Sequence, residues 1–160
     1  MRIDAAAMDE LTDQICALPQ VTCVEATEEM GAPESNWGNR FFYVGAERMR
    51  PFATIVLRNM PGFDEESNLD RPGVFRLNID LGREEFERQF GYPPRRFVDH
   101  RPDMDFSEAD RLMPHPVYGD QGWACILNPI SSRQDIDQLI KHSHQRALRS
   151  EDRRRQRKAG

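Results

Sequence analysis

Long apolar runs are missing from this 160-residue sequence. The best stretch, "FATIVL", is strand-sized against the roughly 20 residues a membrane span requires, so no membrane partner is expected. Cysteine is scarce as well. Cys16, Cys23 and Cys125 are an odd number with no C-x-x-C pair, and the first residues lack the charged-then-apolar pattern of a secretory signal. The expectation is a reduced, cytoplasmic protein without a disulfide framework. No GxxxxGK[ST] or GxGxxG segment occurs, which removes the usual phosphate cradles and with them a nucleotide cofactor. No G-x-S-x-G elbow occurs either, and Cys125 sits in an apolar run where a cysteine reads as buried and inert. Metal-ligand spacing is also wanting. His142 and His144 would diverge by about 200 degrees on a helix, and "DHRPDMDFSEAD" lacks the central Gly and terminal Glu of a calcium loop. No cofactor and no metal are expected.

Net charge is -5, but it is unevenly distributed. Outside residues 146–160, acidic groups outnumber basic ones 25 to 15, whereas that last segment holds 7 basic and 2 acidic residues. An acidic body repels a phosphate backbone, so nucleic acid is expected to bind, if at all, through the "RRRQRK" tail. The length fits one domain able to bury a core without staples. The expected organisation is a single α+β domain over residues 1–150 and a basic, disordered or frayed tail over 151–160.

Apolar residues at Ile3, Ala7, Leu11, Ile15 and Leu18 recur at helical spacing and stop at Pro19. "VTCVEA", "RFFYV" and "PFATIVL" read as strands, the last two joined as a hairpin through "GAERMR". Residues 59–73, "NMPGFDEESNLDRPG", form a long polar loop of the kind that is functional or mobile. "VFRLNIDL" gives the clearest alternation: Phe75, Leu77, Ile79 and Leu81 on a dry face, Arg76, Asn78 and Asp80 on a wet one. "REEFERQF" reads as a short helix, "DFSEADRLM" as one or two helical turns opened by Ser107, and "WACIL" as a last strand. Ser131 or Ser132 would cap a long helix with Ile136, Leu139, Ile140, Ser143, Ala147 and Leu148 on its inner side. The pattern predicts a mainly antiparallel sheet covered on one face by the N- and C-terminal helices, its other, polar face left open.

The blocks "PFATIV", "LDRPGVFRLNI" and "HPVYGDQGW", with "WGNRFFY" before them, resemble an uncharacterised actinobacterial family marked by WGD-FFY, PFATIV, LDRPG-FRLNI and HPVY--QGW. More distantly, the order is similar to that of MmcQ/YjbR-like proteins, which implies a frataxin-like (CyaY-like) layout and a nucleic-acid-binding alternative. Asn78 stands where the distant family has a lysine, and Asn39 where the nearer one has aspartate.

His115, between Pro114 and Pro116, is the best single candidate for chemistry, since an imidazole titrates near pH 6.5 and serves as base, acid or ligand. Asp70 and Tyr118 are its candidate orienters in a metal-independent enzyme, and Arg71 accompanies Asp70. The other reading of His115 is a turn residue bonded to backbone. For binding, Trp37, Arg76, Asn78, His115, Tyr118 and Trp123 would supply aromatic walls and fixed polar groups for a small molecule or a protein. Against this stands the assignment of both tryptophans to the core, with Arg76 and Asp80 as a solvated pair. The leading expectation is a binding module rather than an enzyme; ligand, partner and oligomeric state are not specified by the sequence.

Overall fold

The computed structural model describes residues 5–45, 50–131 and 133–159, which form an α+β fold on one six-stranded antiparallel sheet. Helix α1 (Ala5–Cys16) opens the described chain, with Met8, Leu11 and Ile15 on its buried side. Strands β1 (Val21–Glu25), β2 (Arg40–Val44) and β3 (Ala53–Val56) follow as a meander into β4 (Arg76–Asp80). After helices α2 (Gly82–Phe90) and α3 (Phe97–His100) come the two-residue strand β5 (Met113–Pro114), then β6 (Trp123–Leu127) and the long helix α4 (Arg133–Ala159). The sheet order is β1-β2-β3-β4-β6-β5. Residues 46–49, which fall in the expected hairpin loop, lie outside the described residues, as do Ile3 and Ser132.

The strand register sorts the sheet into two faces, because residues paired directly across strands point to the same side. Leu77 pairs with Ile55 and Ile126, and Ile79 with Ala53 and Ala124; these aliphatic residues meet Leu11, Ile15, Ile136, Leu139 and Ile140 of the terminal helices. Each of the leucines and isoleucines, fully buried, is worth about 1.5–3 kcal/mol. Asn78 pairs with Thr54 and Cys125, and Arg76 with Val56 and Leu127, on the opposite face.

That second face is not the open, wet surface the alternation suggests. Arg76 and Asn78 are buried, Arg76 completely. The long loop after β3 folds over them, with Ser67 and Leu69 buried and the loop closed by backbone bonds between Met60 and Asp64. Asn59 and Asp70 lock its two ends: Asn59 N–H donates to Asp70 Oδ1 at 3.0 Å, and Leu69 N–H to Asn59 Oδ1 at 2.8 Å. A second brace comes from Arg101, whose Nη2 reaches Glu66 Oε2 at 2.5 Å and the Pro116 carbonyl at 2.9 Å. It thereby ties the long loop to the segment carrying His115.

Local details add to this picture. Residues 105–112 do not form a helix: Ala109 makes a parallel bridge to Leu127, and the Asp110 N–H donates to the Leu127 carbonyl at 2.6 Å, holding the segment extended beside β6. The short helix α3 replaces it upstream. Ser131 donates its hydroxyl to Asp110 Oδ2 at 2.6 Å just before α4. Finally, α4 runs through the basic segment to Ala159 instead of fraying at 151. Glu151 is buried beside Gly45, where α4 packs on the body, and within the helix it pairs with Arg154 and Arg155 one turn on.

Ser143 secures α4 to the sheet. Its hydroxyl lies 3.0 Å from the Phe52 carbonyl and 2.7 Å from that of Asp80, joining the helix to the ends of β3 and β4. Ser143→Ala removes the one hydroxyl proton that the two carbonyls share, while Phe52 O keeps the Asp80 N–H and Asp80 O keeps Arg146, and should cost about 0.5–1.5 kcal/mol. The expected result is a lower urea midpoint with an unchanged m-value; an unchanged midpoint would show that these bonds contribute nothing net.

Candidate functional site

A positive charge at the centre of a sheet must be neutralised where it lies. Arg76, on central strand β4, meets this requirement with a two-pronged pair to Asp64: Nη1 to Oδ1 at 3.0 Å and Nη2 to Oδ2 at 2.5 Å. Its Nη1 also donates to Ser67 Oγ at 2.8 Å, and its Nε to Asn78 Oδ1 at 2.8 Å. Asn78 passes the chain on, its Nδ2 donating to Thr54 Oγ1 at 2.9 Å. Burial works to raise the Asp64 carboxyl, but the hydrogen bonds and charge of Arg76 outweigh it and hold that carboxyl below its ordinary value. Asp64 is therefore an anion at neutral pH.

His115 stands beside this pair in an unusual setting. Its Nδ1 accepts the backbone N–H groups of Val117 and Tyr118, both at 3.0 Å, while Nε2 lies 3.1 Å from Arg76 Nη2 and 3.9 Å from Asp64 Oδ2. Three donors are aimed at a ring that has a proton of its own. Placing that proton on Nε2 opposes one donor and faces the Asp64 carboxylate; placing it on Nδ1 would oppose two. The neutral ring thus carries it on Nε2. A second proton is resisted by burial and by the Arg76 charge, against the attraction of Asp64, and the pKa falls from 6.5 to about 3. Both ring nitrogens of His115 thus face donors, and burial with the Arg76 charge holds its pKa below the ordinary value.

The same residues floor a cavity of about 390 Å³ on this face of the sheet. Its walls come from Phe41 on β2, Met60 and Phe63 on the long loop, Tyr118 and Trp123. The Tyr118 ring links the others, with centroids 5.1 Å from His115, 6.0 Å from Phe63 and 6.5 Å from Trp123. Phe63 is 51 % exposed and Tyr118 36 %, so the aromatic rim faces outward while the polar floor is sealed.

Of the residues singled out in the sequence, Arg76, Asn78, His115, Tyr118 and Trp123 come together here. Trp37 does not. Its indole Nε1 donates to the Ala32 carbonyl at 2.8 Å, and only its neighbours Asn36 and Asn39 border the cavity. Asp70 is also elsewhere, bonded within its own loop, and Arg71 is occupied by the carbonyls of Ser67, Asn68 and Ser107. No orienting carboxylate from that pair reaches His115. Arg76 and Asn78 are floor rather than direct contacts. Asp64, Ser67, Thr54 and Phe63 were not singled out; the signal for Asp64 was an arginine on a strand that also needed a carboxylate. Among the described residues no group of three or more His, Cys, Asp or Glu is placed to hold a metal ion.

The His115 environment makes acid stability the expected reporter of this geometry. The unfolded chain takes up a proton near pH 6.5 that the folded chain refuses until about pH 3, so stability present above 6.5 is lost as pH falls through that window. Asp64 adds a loss only lower, below its ordinary 3.8. His115→Asn keeps an acceptor for the two backbone N–H groups but cannot be protonated. Between pH 6 and 4.5, wild-type stability should fall more steeply than the variant's, by up to about 1.4 kcal/mol per pH unit. Urea titrations at several pH values give both slopes, and parallel slopes would contradict a neutral, buried ring.

Comparison with curated proteins and with solved structures gives no match in either set, so the distant likeness to MmcQ/YjbR-like proteins and an actinobacterial origin gain no support. The family comparison is positive: a model of a family of unknown function, DUF6194, matches residues 6–156. That span includes every strand, the Arg76–Asp64 pair and the His115 segment, and the chain accordingly belongs to this family.

Proposed function

We propose that the chain is a binding module for a small molecule, seated in the cavity over Arg76, Asn78 and His115. The observation that carries this reading is the combination of an outward aromatic rim with a fixed polar floor. The cavity, about 390 Å³, lies within the range of small-ligand sites, and such sites join mostly apolar walls to a few immobilised polar groups. Every polar group in the floor is held by a neighbour: Arg76 by Asp64 and Ser67, Asn78 by Thr54, His115 by two backbone amides. A rigid floor lowers the ordering cost of binding.

The chemistry of the walls narrows the ligand. Phe63, Tyr118 and Trp123 favour a planar, largely apolar ring system. The Nε2 proton of His115 lies against the Arg76 donor, with Asp64 Oδ2 3.9 Å away and beyond hydrogen-bond reach, so a ligand oxygen or nitrogen drawn to it would supply a closer acceptor. Arg50, exposed at the rim, suits an anionic substituent. A metal-independent reaction at His115 is the weaker reading, because the ring is neutral and both its nitrogens face donors. We place the protein in a reducing cytoplasm, consistent with three free cysteines, and no helix among the described residues is long and apolar enough to cross a membrane.

The test belongs at the rim, since substituting Arg76 would leave Asp64 partly buried without its partner and confound binding with folding. Native mass spectrometry of freshly purified protein, followed by a saturation-transfer screen of planar aromatic acids, should detect a bound small molecule. Phe63→Ala combined with Tyr118→Ala should weaken it at least about tenfold while leaving the thermal midpoint nearly unchanged. Equal affinity in the double variant, or no bound compound from either measurement, would defeat this placement.

A further inference from the structure

A second cavity, of about 620 Å³, lies where α4 passes the ends of β2, β3 and β4. Five arginines line it: Arg50 before β3, and Arg146, Arg153, Arg154 and Arg157 on one side of α4. Asp80 is the single carboxylate among its lining residues. Two of the guanidinium groups are already engaged. Arg146 Nη1 lies 3.1 Å from the Asp80 carbonyl and 3.4 Å from its Oδ1, and Arg154 pairs with Glu151 at 2.6 Å. Arg50, Arg153 and Arg157 are exposed, and among the described residues none of the three makes a hydrogen bond or an ion pair.

Part of this arrangement serves the helix itself, because cations near a helix C-terminus complement its dipole. That account stops at the last turn. It does not explain why Arg146 and Arg153, farther up, share the side of Arg157, nor why Arg50 faces them from another element. Positive groups at i and i+4, as at Arg153 and Arg157, repel unless an anion lies between them. The approach is also built into the backbone. Gly82, with φ +76°, leaves space for the Arg146 guanidinium, which a Cβ there would meet at 2.2 Å.

We propose that this groove is a binding site for a compact oligophosphate, a small molecule carrying two or more linked or neighbouring phosphate groups. Guanidinium forks match phosphate oxygens two by two, which lysine does not. The spacing requires more than one phosphate: Arg146 and Arg153 are about 10 Å apart along the helix axis and Arg157 about 6 Å beyond, too far for one ion to touch all three. A long nucleic-acid strand is disfavoured, since it would run from the groove onto a body in which acidic groups outnumber basic ones 25 to 15. An enclosed ligand avoids that surface.

Calorimetry of the full chain with inorganic tripolyphosphate, in about 0.15 M salt, tests this site separately from the aromatic cavity. Arg153→Gln with Arg157→Gln changes only exposed side chains that do not border that other cavity, so the free protein's thermal midpoint should stay put. The expected result is saturable one-to-one binding, weakened at least about tenfold in the double variant, with orthophosphate binding far more weakly in the wild type. No heat at millimolar tripolyphosphate, or equal affinity in the variant, would overturn the proposal. So would tighter, steeply salt-dependent binding of a 20-nucleotide single strand, which would assign the groove to an extended polyanion.

Discussion

A guanidinium without access to water sits at the middle of the sheet, and much of the second face follows from the need to neutralise it. Arg76 is 0 % exposed on a strand with neighbours on both sides. Neither neighbouring strand offers a carboxylate at the facing positions, which hold Val56 and Leu127. The counter-ion has to come from a loop. Asp64 fills that role, and bringing it over the sheet draws residues 57–74 into a cover whose underside packs Leu69 and Val74 against Leu127. Removing one partner of such a pair typically costs about 3–5 kcal/mol, more than either partner contributes as a net attraction. The pair is thus better regarded as a constraint on where the loop lies than as a source of stability.

The loop's position then fixes the rest of the cavity. Met60 and Phe63 are carried over β3 beside Asp64, and Arg101, lying over the rings of Phe97 and Phe106, ties Glu66 to the Pro116 carbonyl. Two walls contributed by segments about fifty residues apart are held by one side chain. Between them the His115 imidazole faces donors on every polar side and stays neutral. Burial and the Arg76 charge both resist a second proton on this ring.

The strands and terminal helices were largely legible, because periodicity reports which residues face the core. "VFRLNIDL" shows its alternation in the sequence, and Leu77 and Ile79 are core residues as that pattern requires. What alternation does not report is whether a polar side chain faces water or a partner. Arg76 and Asn78 read as solvated on pattern alone, yet both are buried, and the carboxylate that makes this possible is one of three consecutive acids, Asp64, Glu65 and Glu66. Nothing local separates Asp64 from its neighbours; only the path of the loop does. The same limit applies to Trp37 and Asp70, which stand near plausible motifs in the sequence but have their hydrogen bonds satisfied nearby. At the basic end of α4 composition alone favours fraying, whereas the helix continues to Ala159, with a buried Glu151 paired to Arg154 and Arg155.

Both cavities share one boundary. Arg50 and Pro51 line the aromatic cavity and the arginine groove alike, the one floored by Arg76 and Asn78 and the other running along α4. Proline fixes the backbone at this point, so the two cavities differ in what Arg50 does rather than in where the strand runs. One guanidinium cannot pair with an anion in each place at once. Under the two proposals made above, an acidic ligand in either cavity that engages Arg50 withdraws one charge from the other. The resulting antagonism is reciprocal, as any coupling of two binding equilibria must be. It is bounded by the worth of a single exposed ion pair, about 1 kcal/mol or less. With four further arginines in the groove and an aromatic rim in the cavity, each site keeps most of its binding groups when the other is filled.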